Sequence, residues 1–402
     1  MRITFLSTSS LDYPSPRGRW LPLAQQLVER GHSVDLVLLH HTYDRLAPGA
    51  RRLERGGVTV RYAGQMHVYG PVGRRRYFGP RELLKVSLLG AARLLAAAAR
   101  LDSDALHVCK PQPINGLAGL LASAAARRPL LVDCDDYEAG GNRFGAAWQR
   151  RMVQLWEDGL PRRAAGVTVN TRFLERRCLD LGVPPARLVY VPNGIAAARL
   201  APPDPRRVAG LRAALGLAGA PVVGYVGTLS QTTHNVGLLL DAFALLVRRR
   251  AAARLLLVGE GEDRAALELR AQELGLGGRA LFVGPVPYAQ VPLYLALAGC
   301  TVDPVADDPV AAGRSPLKIV ESLAAGVPVV TGAVGDRAEL LGPQAGLLAQ
   351  PGSPAALAEA LERLLDDPPG RAAMAEAARA RAAELSWERL AERWLRVYDG
   401  CR

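Results

Sequence analysis

Residues 222–227 read VVGYVG. An apolar, β-branched run closed by glycine marks a buried strand that ends in a tight loop. The same form recurs as RLLLVG at 254–259, RALFVG at 279–284 and VPVVTG at 327–332, and a helical pattern follows each. Towards the N-terminus, strands are predicted at 2–7, 34–39, 58–62, 104–108, 129–133, 166–169 and 187–191. Helical patterns lie near 20–30, 81–100, 115–126, 145–164 and 171–181. Strands alternating with helices build βαβ units, hence parallel sheets with right-handed crossovers. Two such sets predict an α/β protein of two doubly wound domains, 1–200 and 201–385. The stretch between them, AAARLAPPDPRR (196–207), is proline-rich and weakly periodic. The tail reads as helices at 353–366 and 370–384, then a last helix at 386–398 with Ser386 as its N-cap.

Composition narrows the function. The 402 residues are 49% hydrophobic and 22% charged, enough apolar material for two buried cores. Aromatics are 5%, which disfavours a nucleic-acid binder that stacks bases. The net charge of +12 points either to anionic partners or, since only Lys85, Lys110 and Lys318 are lysines, to an arginine-rich codon bias. Five cysteines at 109, 134, 178, 300 and 401 show no zinc or disulfide spacing, as in a reduced, cytosolic chain. MRITFLSTSS (1–10) reads as a strand and not as a signal peptide, so a cytoplasmic location is expected. The Leu/Ala-rich stretch 83–99 carries Lys85 and Arg93 and is too short and charged to span a bilayer. With Arg74, Arg75 and Arg76 before it, it could form a basic amphipathic face. An ordinary surface helix is the favoured reading; the alternative is a peripheral contact with anionic lipid at the inner face of the plasma membrane.

Ligands of open parallel sheets sit beyond the C-terminal ends of the strands. That rule selects SPLKIVESLAAGVPVV (315–330). Ser315 is a helix cap, Pro316 suits the first turn, and Gly326 ends the helix. The free amides near Leu317 and Lys318, with the helix dipole, make an anion site suited to a diphosphate. Glu321, one turn on, offers a carboxylate to ribose hydroxyls. The plain alternative is a solvated Lys318–Glu321 pair. GTLSQTTHN (227–235) offers close backbone approach at Gly227, hydroxyls including Thr228, and a phosphate donor in His234. VGEGEDR (258–264) carries one G-x-G with Gly259. In the first half, Cys109 and Lys110 end one strand. Asp133, Asp135, Asp136 and Glu138 end another, where they could hold a divalent metal, arginines or acceptor hydroxyls. The non-metal reading is favoured. Arg17, Gly18 and Arg19 occupy the first βα turn, a further anion candidate. No G-x-G-x-x-G follows the first strand, which disfavours an oxidoreductase.

These stretches, with YVPNGI (190–195) and LFVGPVPYAQVPLYLALA (281–298), resemble the retaining GT-B glycosyltransferases of glycosyltransferase family 4 over nearly the whole chain. The resemblance implies two Rossmann-like domains facing across a cleft. The C-terminal domain would hold a nucleotide-sugar donor. The N-terminal one would hold the acceptor, with the last helix packed back on it. By position, Glu321 matches the second glutamate of the E-x7-E motif, which binds ribose. Leu317 and Lys318 match the amides on the diphosphate, and Val283 and Gly284 the contacts to the base. The first motif glutamate falls at Gly313. The arginine and lysine that grip the diphosphate in many members fall at Thr228 and His234. The histidine near the reacting sugar falls at Cys109, beside Lys110. Lys318 and His234 are the candidates to supply the lost charge.

The implied reaction moves a sugar to an acceptor hydroxyl with retention, without a cofactor or a metal. Charge grows on the departing diphosphate, and helix amides, Lys318 and His234 would stabilise it. Domain closure would exclude water. The acceptor could be a lipid-linked saccharide, a polysaccharide or a small metabolite; nucleic acid is not expected. Two rivals stand: a nucleotide-sugar epimerase or hydrolase on the same fold, and a nucleotide-sugar binder without turnover.

Overall fold

The structure, a computed structural model, describes residues 1–70 and 75–401. Arg74 of the basic triplet lies outside the described residues. The chain divides into two compact units: Met1–Asn193 with Gly313–Ser315 and Trp387–Arg402, and Gly194–Ala312 with Pro316–Ser386. The break falls after Asn193, and the last helix belongs to the first unit.

The first unit contains β1 (Arg2–Ser7), β2 (Ser33–His40), β3 (Arg52–Arg55), β4 (Val58–Gln65), β5 (Val68–Tyr69), β6 (Arg76–Tyr77), β7 (Ala105–Cys109), β8 (Leu130–Cys134), β9 (Gly166–Val169) and β10 (Leu188–Tyr190). Its main sheet runs β10-β9-β8-β7-β1-β2-β4-β3, parallel except for β3. Strand order reverses between β1 and β7. The loops after these two strands therefore diverge and open a crevice. Every residue of β7 and β8 is buried, as expected of central strands covered on both faces.

The second unit contains β11 (Val222–Val226), β12 (Arg254–Val258), β13 (Ala280–Gly284), β14 (Cys300–Asp303), β15 (Val329–Gly332) and β16 (Gly346–Ala349) in the order β13-β12-β11-β14-β15-β16. Here the reversal lies between β11 and β14. The predicted strands recur within a residue or two, except that β4 runs three residues past its predicted end at 62. Missed were β3, β5, β6, β14 and β16. These have two to four residues, too few to show a period, and β14 (CTVD) ends in a charge instead of glycine.

The helix Trp387–Leu395 buries Trp387, Leu390, Ala391 and Trp394, one face at helical spacing. Trp394 stacks on His107 of β7 at 4.9 Å, and the Tyr398 hydroxyl lies 2.9 Å from His107 Nδ1. Burial pushes His107 down to about 4, so the ring is neutral in the fold at pH 7.

The first βα turn departs from expectation. Pro16–Trp20 forms a wide helical turn that runs directly into the helix Leu21–Glu29, and Gly18 is buried inside it. Arg17 donates to the Asp12 carbonyl at 3.2 Å. Arg19, 1% exposed, meets Asp133 of β8 through two bonds of 2.9 and 2.8 Å. It also donates to the Val191 carbonyl and Asn193 Oδ1 and lies over the Trp394 ring. Trp20 Nε1 and Thr168 Oγ1 complete the shell of Asp133. Burial alone would raise this carboxyl; Arg19 outweighs burial and holds it low. Asp133 is thus a structural anion and leaves the acidic group in which the sequence placed it.

Removing one partner of a buried pair strands the other charge. Asp133→Ala is expected to destabilise the protein by about 3–5 kcal/mol. Denaturant unfolding checks it; a loss below about 1 kcal/mol, the range of a surface pair, would contradict this account.

Candidate functional site

In the second unit the site forms where β11 and β14 diverge. The helix Leu317–Ala324 starts after Pro316, which is its N-cap without a side-chain bond. Ser315 is therefore not the cap. Its Oγ accepts from the Asn193 N–H at 3.1 Å. Gly326, at φ +67, ends the helix as expected.

Lys318 Nζ lies 3.3 Å from each of Tyr225 Oη, His234 Nδ1 and Asp303 Oδ1. Its ammonium also sits 4.7 Å over the Tyr225 ring. An ammonium only donates, so His234 Nδ1 must accept. The neutral imidazole then carries its proton on Nε2 and is a donor at that edge. Asp303, 2% exposed, also takes Arg337 Nε at 2.7 Å. Burial would raise the Asp303 carboxyl; Arg337 and Lys318 overcome that and hold it at about 2. The cation proposed for a phosphate is thus anchored by one buried carboxylate. Tyr225 Oη donates to the Thr228 carbonyl, tying down the loop after β11.

The glycines of that loop have a packing reason. A Cβ at Gly259 would run into the Gly227 carbonyl, and one at Gly261 into the Leu229 carbonyl. The G-x-G of 259–261 lets two loops lie backbone to backbone, with Gly227 N–H on Val258 O and Leu229 N–H on Glu260 O. Gly284, at φ +90, turns the chain after β13, and its carbonyl takes the Gly259 N–H at 2.9 Å. Val283 is half-buried against the same strands. Glu321 pairs with Arg199 at 3.5 Å. Nothing in the local sequence marks Arg199, Tyr225, Asp303 or Arg337. The nearest signal is an aspartate closing an apolar strand.

In the first unit, Lys110 and the acids beyond β7 and β8 form one cluster. Lys110 Nζ lies 2.6 Å from Asp136, 2.6 Å from Glu138 and 3.4 Å from Asp135. Lys110 stands at φ 67, a conformation that costs a non-glycine residue about 1–3 kcal/mol. Its N–H on the Asp133 carbonyl and its carbonyl under Asn115 Nδ2 hold it there. Gln112 and Asn142 donate to the second Glu138 oxygen, and Thr8 after β1 donates to Gln112. Burial raises Asp135 to about 7, with the neighbouring acids adding to it and Lys110 opposing. Glu138 stays low because Lys110 outweighs its burial. The lysine ammonium stands where a metal ion would, at the centre of the three carboxylates.

Cys109 is 1% exposed, and burial pushes its thiol far up. A neutral thiol sealed in the core cannot act on a substrate, so the catalytic role expected of Cys109 is withdrawn. Asp12, His40 and His41 also bring ligand atoms within 4.8 Å of one another. Thr42 N–H donates to His40 Nδ1, so the neutral His40 ring carries its proton on Nε2, facing Asp12. That nitrogen is a donor to the carboxylate and not a metal ligand. A cavity of about 880 Å³ lies at the opposite strand ends of the first unit, against Arg128, Arg187 and Arg396, and touches none of the predicted site residues.

Comparison with known proteins matches both halves. The family described as glycosyl transferases group 1 matches residues 211–381, and the glycosyl transferase 4-like domain matches 17–194. A 2-deoxystreptamine glucosyltransferase of Streptomyces kanamyceticus is 31% identical over 226 residues, 55% of this chain and 56% of that one. A D-inositol 3-phosphate glycosyltransferase of Thermomonospora curvata is 30% identical over 406 residues, 94% of this chain and 89% of that one. The chain spans about half the length of the first curated relatives it matches. Among solved structures, sucrose-phosphate synthase of Thermosynechococcus elongatus superposes with a TM-score of 0.76 at 22% identity, over 99% of this chain and 98% of that one. The fold is GT-B.

Asp135 gives a pH test. Its folded pKa of about 7 lies above the ordinary carboxylate value of 3.8. Between these values the folded state binds more protons than the unfolded state, so ionising Asp135 erodes stability as pH rises. Asp135→Asn removes that cost. Relative to wild type, its unfolding free energy from denaturant titration should improve steadily from pH 4 to 7, by at most about 1.4 kcal/mol per pH unit. A difference that stays flat with pH would contradict the assignment.

Proposed function

The chain belongs to the group 1 glycosyltransferases, and on that basis we propose that it moves a sugar from a nucleoside diphosphate sugar to an acceptor hydroxyl with retention of anomeric configuration. One observation carries this reading. The start of the 317–324 helix, the Lys318 ammonium and the His234 ring are gathered at one set of strand ends, with Glu321 a turn further on. A diphosphate needs such a collection of donors, and a ribose needs such a carboxylate.

The residues then divide the work. The amides of Leu317 and Lys318 face the diphosphate with the positive end of the helix dipole. Lys318 adds charge and fixes the His234 tautomer, so that Nε2–H donates to the leaving phosphate. Asp303 and Arg337 keep Lys318 in place. Thr228 and Gly227 bring backbone and hydroxyl groups to the same loop. Donors set in advance act most where charge grows, on the departing diphosphate. Glu321 takes the ribose hydroxyls; Val283 and Gly284 flank the base; Gly259 shapes the loop beside them. In the first unit, Lys110, Asp135, Asp136 and Glu138 bind hydroxyls of the acceptor, with Arg17 at the rim. Neither a cofactor nor a metal has a part in this scheme.

The test is thermal unfolding with UDP, GDP and ADP. A nucleotide at a hundred times its Kd adds about 2.7 kcal/mol of stability. One of the three should stabilise the wild type and neither Glu321→Ala nor Lys318→Ala. No stabilisation by any of the three would overturn the donor assignment.

A peripheral membrane contact is part of the proposal. Among the described residues no helix is long and apolar enough to cross a membrane. The helix Pro80–Ala99 does expose Leu84, Leu88 and Leu89 beside Arg81 and Lys85. The basic triplet contributes less than expected: Arg75 and Arg76 lie over the rings of Tyr13 and Tyr69. Exposed apolar side chains with cations beside them suit an anionic bilayer surface. The protein should float with phosphatidylglycerol vesicles, and Leu84→Glu/Leu88→Glu should remain at the bottom of the gradient. Equal flotation of both proteins would remove the contact.

A further inference from the structure

Arg199 was not among the expected site residues. It ends the short turn Ala197–Arg199, just beyond YVPNGI. Its guanidinium makes three contacts. Nη1 donates to the Tyr288 carbonyl at 3.2 Å, the guanidinium carbon stands 3.8 Å over the centre of the Tyr288 ring, and Nη2 lies 3.5 Å from Glu321 Oε1. The Arg199 and Glu321 side chains are only 15% and 12% exposed. Tyr288 opens the turn that follows β13, the strand carrying Val283 and Gly284. One planar group therefore links the strand end assigned to the base with the carboxylate assigned to the ribose.

We propose that Arg199 is the positioning residue for Glu321 and so sets the preference for ribonucleotide over deoxyribonucleotide donors. The inference rests on the reading that Glu321 meets the ribose. A carboxylate on an eight-residue helix has three side-chain torsions to settle before it can accept two hydroxyls. Arg199 settles them from one side. Its own orientation is fixed by its seat over the Tyr288 ring and by the bond to the Tyr288 carbonyl. A carboxylate has about four lone-pair positions, so one guanidinium contact does not exhaust its capacity to accept. Lysine could not replace it, because a point charge on a flexible stem neither stacks flat nor holds a fork.

The measurement is the affinity ratio between a nucleoside diphosphate and its 2′,3′-dideoxy form, taken for whichever of UDP, GDP and ADP binds. A hydrogen bond from a hydroxyl to a charged carboxylate is worth about ten- to a hundredfold in affinity. The wild type should show a ratio of about that size, and Glu321→Gln should lose most of it. Arg199→Ala should lose most of it too, about tenfold or more, by weakening the ribonucleotide while sparing the dideoxynucleotide. Arg199→Lys should behave like Arg199→Ala. If Arg199→Ala fails to fold, Arg199→Gln carries the same measurement. A general structural role would weaken both ligands equally and leave the ratio at its wild-type value, which overturns the proposal for Arg199. If Glu321→Gln keeps the ratio, the ribose reading of Glu321 fails instead, and the proposal falls with it. Loss in Glu321→Gln with retention in Arg199→Ala rejects Arg199 alone.

Discussion

Asp133 closes a strand on which every residue is buried, and it is itself fully out of water. A bare carboxylate there would be expensive, since charge transfer into a low dielectric costs several kcal/mol after relaxation. Arg19 makes the position tenable. Its fork takes both carboxylate oxygens, and its remaining nitrogen reaches the chain beyond β10. Trp394 of the last helix covers the guanidinium. Four parts of the first unit are thereby fixed to one charge: the turn after β1, the end of β8, the exit from β10 and the C-terminal helix. Asp133 also carries the carbonyl that receives the Lys110 amide, so the strained backbone of Lys110 hangs on the same strand end.

The second unit meets the same constraint with a different outcome. Asp303 closes β14 and is equally buried, and Arg337 answers one of its oxygens. The other oxygen goes to Lys318. Where the first unit spends its buried aspartate wholly on structure, the second uses half of one to hold a functional cation. That cation in turn orients His234. The order of dependence runs from a desolvated carboxylate to an anchored ammonium to a defined imidazole tautomer. Such a chain pre-arranges donors before a diphosphate arrives, which is what stabilisation of growing charge requires.

Much of this was legible along the chain. VVGYVG, RLLLVG, RALFVG and VPVVTG announced parallel strands because a buried strand is a local pattern, apolar on both faces and ended by glycine. Gly326 was legible as a helix end for a similarly local reason, its left-handed φ. Ser315 was misread because serine before a helix is usually a cap, while here its hydroxyl is claimed by Asn193, 122 residues away. Around Gly18 the chain winds a wide helical turn where a lone glycine between arginines suggests an open one. Cys109 sits in strand β7, and its family position pointed to chemistry that its burial forbids.

The sequence by itself determined the two α/β halves, the strands that carry them and the helix that presents Leu317, Lys318 and Glu321. Those are consequences of residue type and spacing over ten or twenty positions. Tertiary structure alone decided what each charge does. Arg17 and Arg19 are two residues apart and alike on paper; one lies near the surface and the other is sealed on Asp133. Asp133 and Asp135 are likewise two apart, yet one is held low by an arginine and the other is raised to about 7. The reason is physical: the free energy of a charge depends on its distance to water and to other charges, and folding sets those distances through partners remote in the chain.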